Sequence, residues 1–258
     1  MYDESGSVDF FKKSIFFRIA CRISWRLADR SLFVSKSQFR QITSHEKVNN
    51  PIVLKSPLHP DYNIAIAKEN LSKKENSKIR FLTIVWMTQE QLNRKGVYQV
   101  LGALKLLKDS NQNNFEWIIA GGIGDGSVQL MTKIKEMQIE KFVHLKHDIS
   151  NEEKNLLYSS CDLYLQPSFY EGFGNAVLEA MSYGMPALVS GFASQPEVVK
   201  QSGIIVNELN SENIAEKLGK FLNYSSSEFT EMRKTVIEVI NDHHLFSYRE
   251  KLFNEILE

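Results

Sequence analysis

Cysteine and proline are scarce in this sequence, and long apolar runs are missing from it. Two cysteines among 258 residues cannot build a disulfide framework or a four-thiolate zinc site, so we expect Cys21 and Cys161 to be ordinary buried thiols in a reducing compartment. No apolar run approaches the roughly 18 residues of a membrane span. Acids among the first ten residues, and arginines soon after them, argue against a secretory signal peptide. The expected location is therefore the cytoplasm.

A surplus of charge of either sign is also missing. The 31 Lys and Arg residues balance 31 Asp and Glu residues, which gives binding of nucleic acid no support. The balance is uneven, because residues 10–47 hold nine basic and two acidic side chains, whereas residues 51–258 hold 22 and 26. An arginine recurs every four residues in the basic stretch, at Arg18, Arg22, Arg26 and Arg30. Such a row is most often a solvated helix face, and the alternative is contact with an anionic surface at the inner face of the membrane.

A regular alternation of apolar runs and helical patterns begins at residue 78. With 43% hydrophobic residues, the chain can build a real core. Continuous apolar runs are typical of strands covered on both faces, and they predict strands at residues 80–86, 115–120, 142–145, 162–166, 186–190 and 203–206. Helices are predicted at residues 96–108, 127–138, 151–159, 175–183, 196–200, 212–222, 227–241 and 246–257. This alternation implies an α/β fold with a Rossmann-like, doubly wound parallel sheet.

The stretch before this sheet holds one convincing strand, so it cannot form a second domain of the same kind. Residues 10–28 fit a helix, residues 31–35 a short strand, and residues 36–43 a helix with Ser35 as N-cap. Residues 49–63 hold three prolines and are predicted to be a linker. One face of the first helix is apolar and carries Phe11, Ile15, Ile19 and Ile23.

Three regions follow from these patterns. Residues 1–77 form an N-terminal unit and the linker, and residues 78–241 form the sheet domain. Residues 242–258 form a C-terminal helix. The sheet domain is long enough to be complete by itself.

The segment QPSFYEGFGNAVLE, at residues 166–179, is the most informative part of the sequence. A predicted strand ends at its start, a loop with Gly172 and Gly174 follows, and then a helix begins. Ligands of parallel α/β sheets gather at the carboxyl ends of strands, and the unpaired amides and dipole of a helix start favour a phosphate. A carboxylate beside a phosphate would repel it. We therefore expect Glu171 and Glu179 to accept hydrogen bonds from the hydroxyls of two different sugars.

This segment resembles the signature of family 4 glycosyltransferases, which are retaining, nucleotide-sugar-dependent enzymes with the GT-B fold. The similarity covers about residues 79–240, with weaker similarity at residues 28–60. Glu171 and Glu179 lie within EGFGNAVLEAMSYGMPALVS and resemble the glutamate pair of that family. Five supporting segments follow the expected order, namely NRKGV at 93–97, IAGG at 119–122, CDLYLQPS at 161–168, GFASQPEVV at 191–199 and GIIV at 203–206.

The resemblance implies a role for each residue of a donor site. Glu171 and Lys95 would be catalytic, with Glu171 on the donor hexose and Lys95 neutralising the diphosphate as it leaves. Glu179 would bind the ribose hydroxyls, and the loop amides would approach the sugar and the diphosphate. The implied donor-binding residues are Arg94, Lys95, Glu171, Gly172, Phe173, Gly174, Asn175 and Glu179. No metal and no cofactor is implied, because the nucleotide diphosphate sugar is itself the substrate.

The reaction implied by the resemblance is transfer of a hexose, with retention, to a saccharide or lipid-linked acceptor. Assembly of bacterial surface polysaccharide, including lipopolysaccharide, is the expected setting.

One departure from the family pattern is that residues 86–91 lack the arginine that family members commonly carry after the first donor-domain strand. Arg94 could substitute for it, or diphosphate binding could be weaker.

A second departure concerns the acceptor domain, of which residues 28–60 resemble only the last part. The resemblance therefore implies that residues 1–77 are a partial N-terminal α/β remnant of that domain with the linker, and that the helix at residues 242–258 returns towards this N-terminal part. The chain could be a fragment, a truncated reading frame or half of a split enzyme. The alternative function is therefore a catalytically incomplete nucleotide-sugar-binding subunit, which needs a partner that supplies the acceptor domain. A GT-B-like epimerase is a third candidate and fits the glutamate pair less well.

Overall fold

The computed structural model describes residues 14–56, 58, 78–243, 250 and 253–254. The strands are β1 (Ser31–Phe33), β2 (Pro51–Val53), β3 (Ile79–Ile84), β4 (Phe115–Gly121), β5 (Val143–His147), β6 (Leu163–Gln166), β7 (Ala187–Ser190) and β8 (Ile204–Val206). The helices are α1 (Ile15–Leu27), α2 (Lys36–Thr43), α3 (Gln89–Arg94), α4 (Val97–Asp109), α5 (Ser127–Glu136), α6 (Asn151–Ser160), α7 (Asn175–Ser182), α8 (Gln195–Val199), α9 (Ser211–Leu222) and α10 (Ser226–His243).

Strands β3 to β8 form one parallel sheet in the order β5-β4-β3-β6-β7-β8. The chain therefore winds outwards from β3 to β5 and then crosses to the other side of β3 to begin again at β6. This order confirms the prediction of a doubly wound sheet. The winding direction reverses between β3 and β6, where Phe81 pairs with Leu163 and Leu82 with Tyr164. Ligands bind at such a switch point, outside the carboxyl ends of the strands.

The strands inside the sheet are buried on both faces, which explains why they are continuous apolar runs, whereas the edge strand β5 has three exposed residues. Successive residues of β3 enter different cores, with Phe81 in the first and Leu82 in the second. Thr83 is polar and nevertheless buried. Its Oγ1 donates to the Leu165 carbonyl at 2.6 Å and accepts from Trp117 Nε1 at 3.1 Å, so the hydroxyl remains hydrogen-bonded within the core.

Two elements differ from the sequence prediction. Helix α3 was not predicted, because it is polar and Leu92 is its one buried residue; the Thr88 hydroxyl caps it by accepting from the Gln91 amide at 3.3 Å. Strand β2 lies inside the predicted linker and pairs in parallel with β1, so that Ser31 faces Pro51. A three-residue strand that begins with proline has no periodic signal, and only the tertiary pairing defines it.

The arginine row of α1 is not simply a solvated face. Arg22 Nη2 lies 2.6 Å from Glu46 Oε1, and Glu46 is buried. This guanidinium holds the pKa of the Glu46 carboxyl below its usual range. The expectation of a solvated row is therefore wrong for Arg22, whereas Arg26 and Arg30 are exposed.

No residue of α1 is buried within the described part of the chain. The apolar side chains of its predicted apolar face are about half exposed, namely Ile15, Ile19 and Ile23. Phe11, the remaining member of that face, lies outside the described residues. The helix therefore presents an open apolar surface.

Helix α2 links the N-terminal unit to the large sheet. The predicted cap is confirmed, because Ser35 Oγ accepts from the Gln38 amide at 3.0 Å. The carboxylate of Glu197, at the start of α8, accepts from the Lys36 amide at 3.0 Å and the Ser37 amide at 2.7 Å. A carboxylate at a helix N-terminus is favourable because it satisfies unpaired amides and opposes the helix dipole.

The two cysteines differ in how far they are buried. Cys161 is buried as predicted, and burial raises the pKa of its thiol to about 12. Cys21 is only partly buried, so the prediction of a buried thiol is wrong for Cys21.

Among the described helices, none combines the length and the hydrophobicity of a membrane span. The predicted C-terminal helix at residues 246–257 lies almost entirely outside the described residues.

Candidate active site

A cleft of about 820 Å³ opens at the carboxyl edge of the sheet, at the switch point between β3 and β6. Its walls come from the ends of β3, β4 and β6 and from the start of α7, and Val34 and Ser56 of the N-terminal unit complete them. All eight residues of the predicted donor-binding set line this cleft, namely Arg94, Lys95, Glu171, Gly172, Phe173, Gly174, Asn175 and Glu179. The structure thus brings the predicted residues together, and their roles stay predictions.

Lys95 reaches the cleft because of the tight turn between α3 and α4. Gly96 has a left-handed φ of 71°, and a Cβ on it would lie 2.2 Å from the Pro167 carbonyl oxygen. Glycine therefore lets this turn touch the loop that follows β6. Lys95 Nζ donates to the Ile84 carbonyl at 3.0 Å and to Gln166 Oε1 at 3.1 Å. These bonds hold the ammonium between the ends of β3 and β6.

The position of Lys95 changes its acidity. Burial lowers the pKa of its ammonium to about 8, and Arg94 adds to that effect. The negative charges of Glu171 and Glu179 oppose it. Both acceptors of Lys95 are neutral oxygens, so a diphosphate entering the cleft would add negative charge and raise this pKa again.

Glu171 is fixed by the ends of α3 and β6. Its Oε1 lies 3.1 Å from Arg94 Nη1 and accepts from Gln166 Nε2 at 3.0 Å. Arg94 also donates to the Tyr170 carbonyl at 3.0 Å and to Gln91 Oε1 at 2.6 Å. The Arg94 guanidinium, one candidate to replace the missing phosphate-binding arginine, is therefore engaged by Glu171 and its loop.

Glu179 occupies another wall of the cleft, on α7. Its Oε2 accepts from the Tyr158 hydroxyl at 3.0 Å and lies 3.3 Å from Lys154 Nζ. Both partners come from α6, and a quarter of the Glu179 side chain stays exposed. The carboxylate is thus oriented by α6 and partly open to the cleft, and its binding of a ligand hydroxyl stays a prediction.

The loop between β6 and α7 brings main chain to the cleft. A Cβ on Gly172 would meet nothing within 4 Å, so this side of the loop is open. Gly174 has φ 102° at the N-cap of α7, and no side chain caps that helix. The first amides of α7 therefore face the cleft without a side-chain cap, which suits an anionic ligand.

Sequence reasoning missed three residues of the cleft. Gln166 is fully buried at the end of β6 and contacts both Lys95 and Glu171. Lys154 pairs with Glu179, and Trp86 lines the cleft with two thirds of its surface exposed. A glutamine that ends an apolar strand is a usable signal, because a buried amide needs partners for both of its ends.

The described residues include no group of three or more His, Cys, Asp or Glu side chains that could hold a metal ion. The charged groups of the cleft are instead carboxylates, ammonium groups and one guanidinium. Such a set can bind hydroxyls and phosphates by charge-assisted hydrogen bonds.

Comparison with known proteins agrees with this chemistry. Residues 67–239 match the family model described as Glycosyl transferases group 1. O-antigen chain mannosyltransferase RfbU of Salmonella typhimurium is 24% identical over 239 residues, which are 88% of this chain and 64% of that protein. O-antigen chain mannosyltransferase B of Escherichia coli is 32% identical over 114 residues, which are 44% of this chain and 30% of that protein.

A solved structure gives the same fold. Anabaena HepE, crystallised in complex with UDP and glucose, superposes with a TM-score of 0.76 at 16% identity, and the match covers 100% of this chain and 70% of that one.

The chain spans less than two thirds of the length of either mannosyltransferase. The family match covers most of the chain and includes both glutamates and Lys95. This chain therefore belongs to the group 1 glycosyl transferases and has an α/β fold of the GT-B type.

Proposed function

We propose that this chain carries the donor site of a retaining hexosyltransferase, which moves a hexose from a nucleotide diphosphate sugar to a saccharide or lipid-linked acceptor. One observation carries the proposal. Two carboxylates, Glu171 and Glu179, face the same cleft as the Lys95 ammonium and the uncapped start of α7. A nucleotide sugar has hydroxyls near both ends and a diphosphate in the middle, which matches these groups.

Each group has a distinct task in this proposal. Glu179 accepts hydrogen bonds from the ribose hydroxyls, and Glu171 accepts them from the donor hexose. The α7 amides and Lys95 bind the diphosphate. Charge builds on that diphosphate as the glycosidic bond breaks, so a fixed ammonium at this point stabilises the transition state more than the ground state.

The names of two relatives give the first donor to test. Both are O-antigen chain mannosyltransferases, which supports mannose as the transferred sugar and a surface polysaccharide as the product. The solved neighbour binds UDP and glucose, so uridine donors form the second group to test. Retention of configuration is part of the same proposal.

The second candidate function is a nucleotide-sugar-binding subunit that lacks activity alone. The observation that favours it is the size of the N-terminal unit, which contributes two strands among the described residues. Among the described residues of that unit, Val34 and Ser56 line the cleft. A partner would then supply the remaining wall and the acceptor site.

Nucleotide binding tests the donor site directly. The full chain should bind at least one of UDP, GDP and ADP in a calorimeter. Glu179→Gln should weaken that binding by about 1–3 kcal/mol, because charge-assisted hydrogen bonds to the ribose are lost. Glu238→Gln, on the exposed face of α10, is the matched control and should bind as the unchanged protein does. Failure of the folded chain to bind all three nucleotides would contradict the proposal.

A further inference from the structure

Gln166 joins the two groups that are predicted to be catalytic. The residue is fully buried at the end of β6. Its Oε1 accepts from Lys95 Nζ at 3.1 Å and from the Tyr164 hydroxyl at 3.2 Å. Its Nε2 donates to Glu171 Oε1 at 3.0 Å. One amide therefore bridges the ammonium and the carboxylate.

The amide has only one workable orientation. An ammonium can only donate and an ionised carboxylate can only accept. Turning the amide over would place its NH2 group against Lys95 and its oxygen against Glu171, and both hydrogen bonds would be lost. The charges on either side thus fix which end faces which group.

The backbone of Gln166 is also held from the next strand. Its carbonyl accepts from Gln195 Nε2 at 2.7 Å. Gln195 Oε1 in turn accepts from the Ser190 amide at 3.0 Å and from the Ser190 hydroxyl at 2.6 Å. These bonds tie the carboxyl ends of β6 and β7 together, so Gln166 cannot move without disturbing both strands.

We propose that Gln166 is a positioning residue, which sets the distance between Lys95 and Glu171 and leaves both of their charges available to the donor. The inference rests on the proposed function. Glutamine suits this task because it is neutral. A carboxylate at this position would neutralise Lys95, whereas an apolar side chain would leave Lys95 and Glu171 each with one fewer partner.

The pH dependence of diphosphate binding reports on this arrangement. Lys95 has a lowered pKa of about 8 in the free protein, and a bound diphosphate raises it. Affinity should therefore be constant below about pH 8 and fall above it, by up to roughly tenfold per pH unit. The other charged groups that act on Lys95 are Arg94, Glu171 and Glu179, and none of them is changed in the variants below.

Two substitutions of Gln166 should move this profile in opposite directions. Gln166→Glu places a carboxylate beside Lys95, so the fall in affinity should begin at a higher pH. Gln166→Leu removes an acceptor from the ammonium, so the fall should begin at a lower pH. Both variants should bind the nucleotide roughly tenfold more weakly at pH 7, since each loses a hydrogen bond to a charged group.

Calorimetry of the full chain between about pH 7 and 9.5, with the nucleotide that binds best, measures these changes. Thr83→Val is the matched control. It removes the buried bond to the Leu165 carbonyl on β6 without touching Lys95 or Glu171, so it should lower stability and leave the pH profile unchanged.

The outcomes separate the inference from the proposed function. Folded Gln166 variants that keep the affinity and pH profile of the unchanged chain would overturn the positioning role alone, and so would a control that shifts the profile equally. An unchanged chain that binds none of the nucleotides would overturn the proposed function and, with it, the inference.

Discussion

At the scale of single residues, two glycines on the candidate site differ in what a methyl group would meet. A Cβ on Gly96 would lie 2.2 Å from the Pro167 carbonyl oxygen, and the backbone there has a φ of 71°. A Cβ on Gly172 would meet nothing within 4 Å. The first glycine is thus required by the fold, whereas the second leaves space in the cleft.

Gly96→Ala and Gly172→Ala should therefore have different effects. Gly96→Ala should destabilise the protein by at least about 1–2 kcal/mol through backbone strain, and the clash with Pro167 should displace Lys95 and weaken nucleotide binding. Gly172→Ala should change stability by less than about 0.5 kcal/mol and weaken binding only by filling the cleft. Denaturant unfolding and calorimetry measure the two effects. Equal stability of the two variants would contradict this explanation.

At the scale of elements, helix α1 carries apolar side chains that are largely exposed. Phe16 is 81% exposed and Leu27 is 77% exposed, and the exposed Arg26 and Arg30 lie on the same short segment. Apolar side chains beside basic ones are typical of helices that lie on anionic membrane surfaces. Arg22 does not belong to this surface, because it pairs with Glu46.

We expect the full chain to sediment with anionic vesicles at low salt. Each basic residue near such a surface contributes roughly 1 kcal/mol, and the exposed apolar side chains add to this. Arg26→Glu with Arg30→Glu should abolish sedimentation, while nucleotide binding persists because the cleft is unchanged. Vesicles of neutral lipid are the control. If the full chain does not sediment with anionic vesicles at low salt, α1 does not bind membranes.

At the scale of the whole molecule, the two units differ in size. The large unit has a six-stranded sheet, and the N-terminal unit has two strands among the described residues. Transfer between two substrates requires both to be oriented and water to be excluded. The described residues of the cleft come mainly from the large unit, so they define the proposed donor site far better than a proposed acceptor site.

The purified chain should therefore bind a nucleotide but show negligible transfer by itself. Incubation with radiolabelled nucleotide sugars and a mixture of membrane lipids and oligosaccharides tests this. Addition of a partner that completes the acceptor side should restore transfer. Robust turnover by the 258-residue chain alone would show that the N-terminal unit already supplies a sufficient acceptor wall.

The doubly wound sheet and the residues that line the candidate site could both be predicted from the amino-acid sequence alone. Strands buried on both faces must be continuous apolar runs, so the inner strands of the large sheet could be predicted from the sequence, and the exposed edge strand β5 was predicted only in part. Gly172, Gly174 and the two glutamates lie within nine residues of one another, and such a local motif needs no tertiary information. The Ser35 cap was predicted correctly for the same reason.

Which distant side chains contact one another could not be predicted from the sequence and depends on the folded chain. Arg94 contacts Glu171 across the switch point. Gln166 bridges Lys95 and Glu171. Arg22 forms an ion pair with Glu46 and is therefore not part of the exposed basic surface. Strand β2 exists only through its pairing with β1. Most of these contacts join residues that are far apart in the sequence. A charged group or an amide can pair with many partners, and the sequence does not show which one it will contact. Folding selects the partner by bringing it within hydrogen-bond distance and removing the water between them.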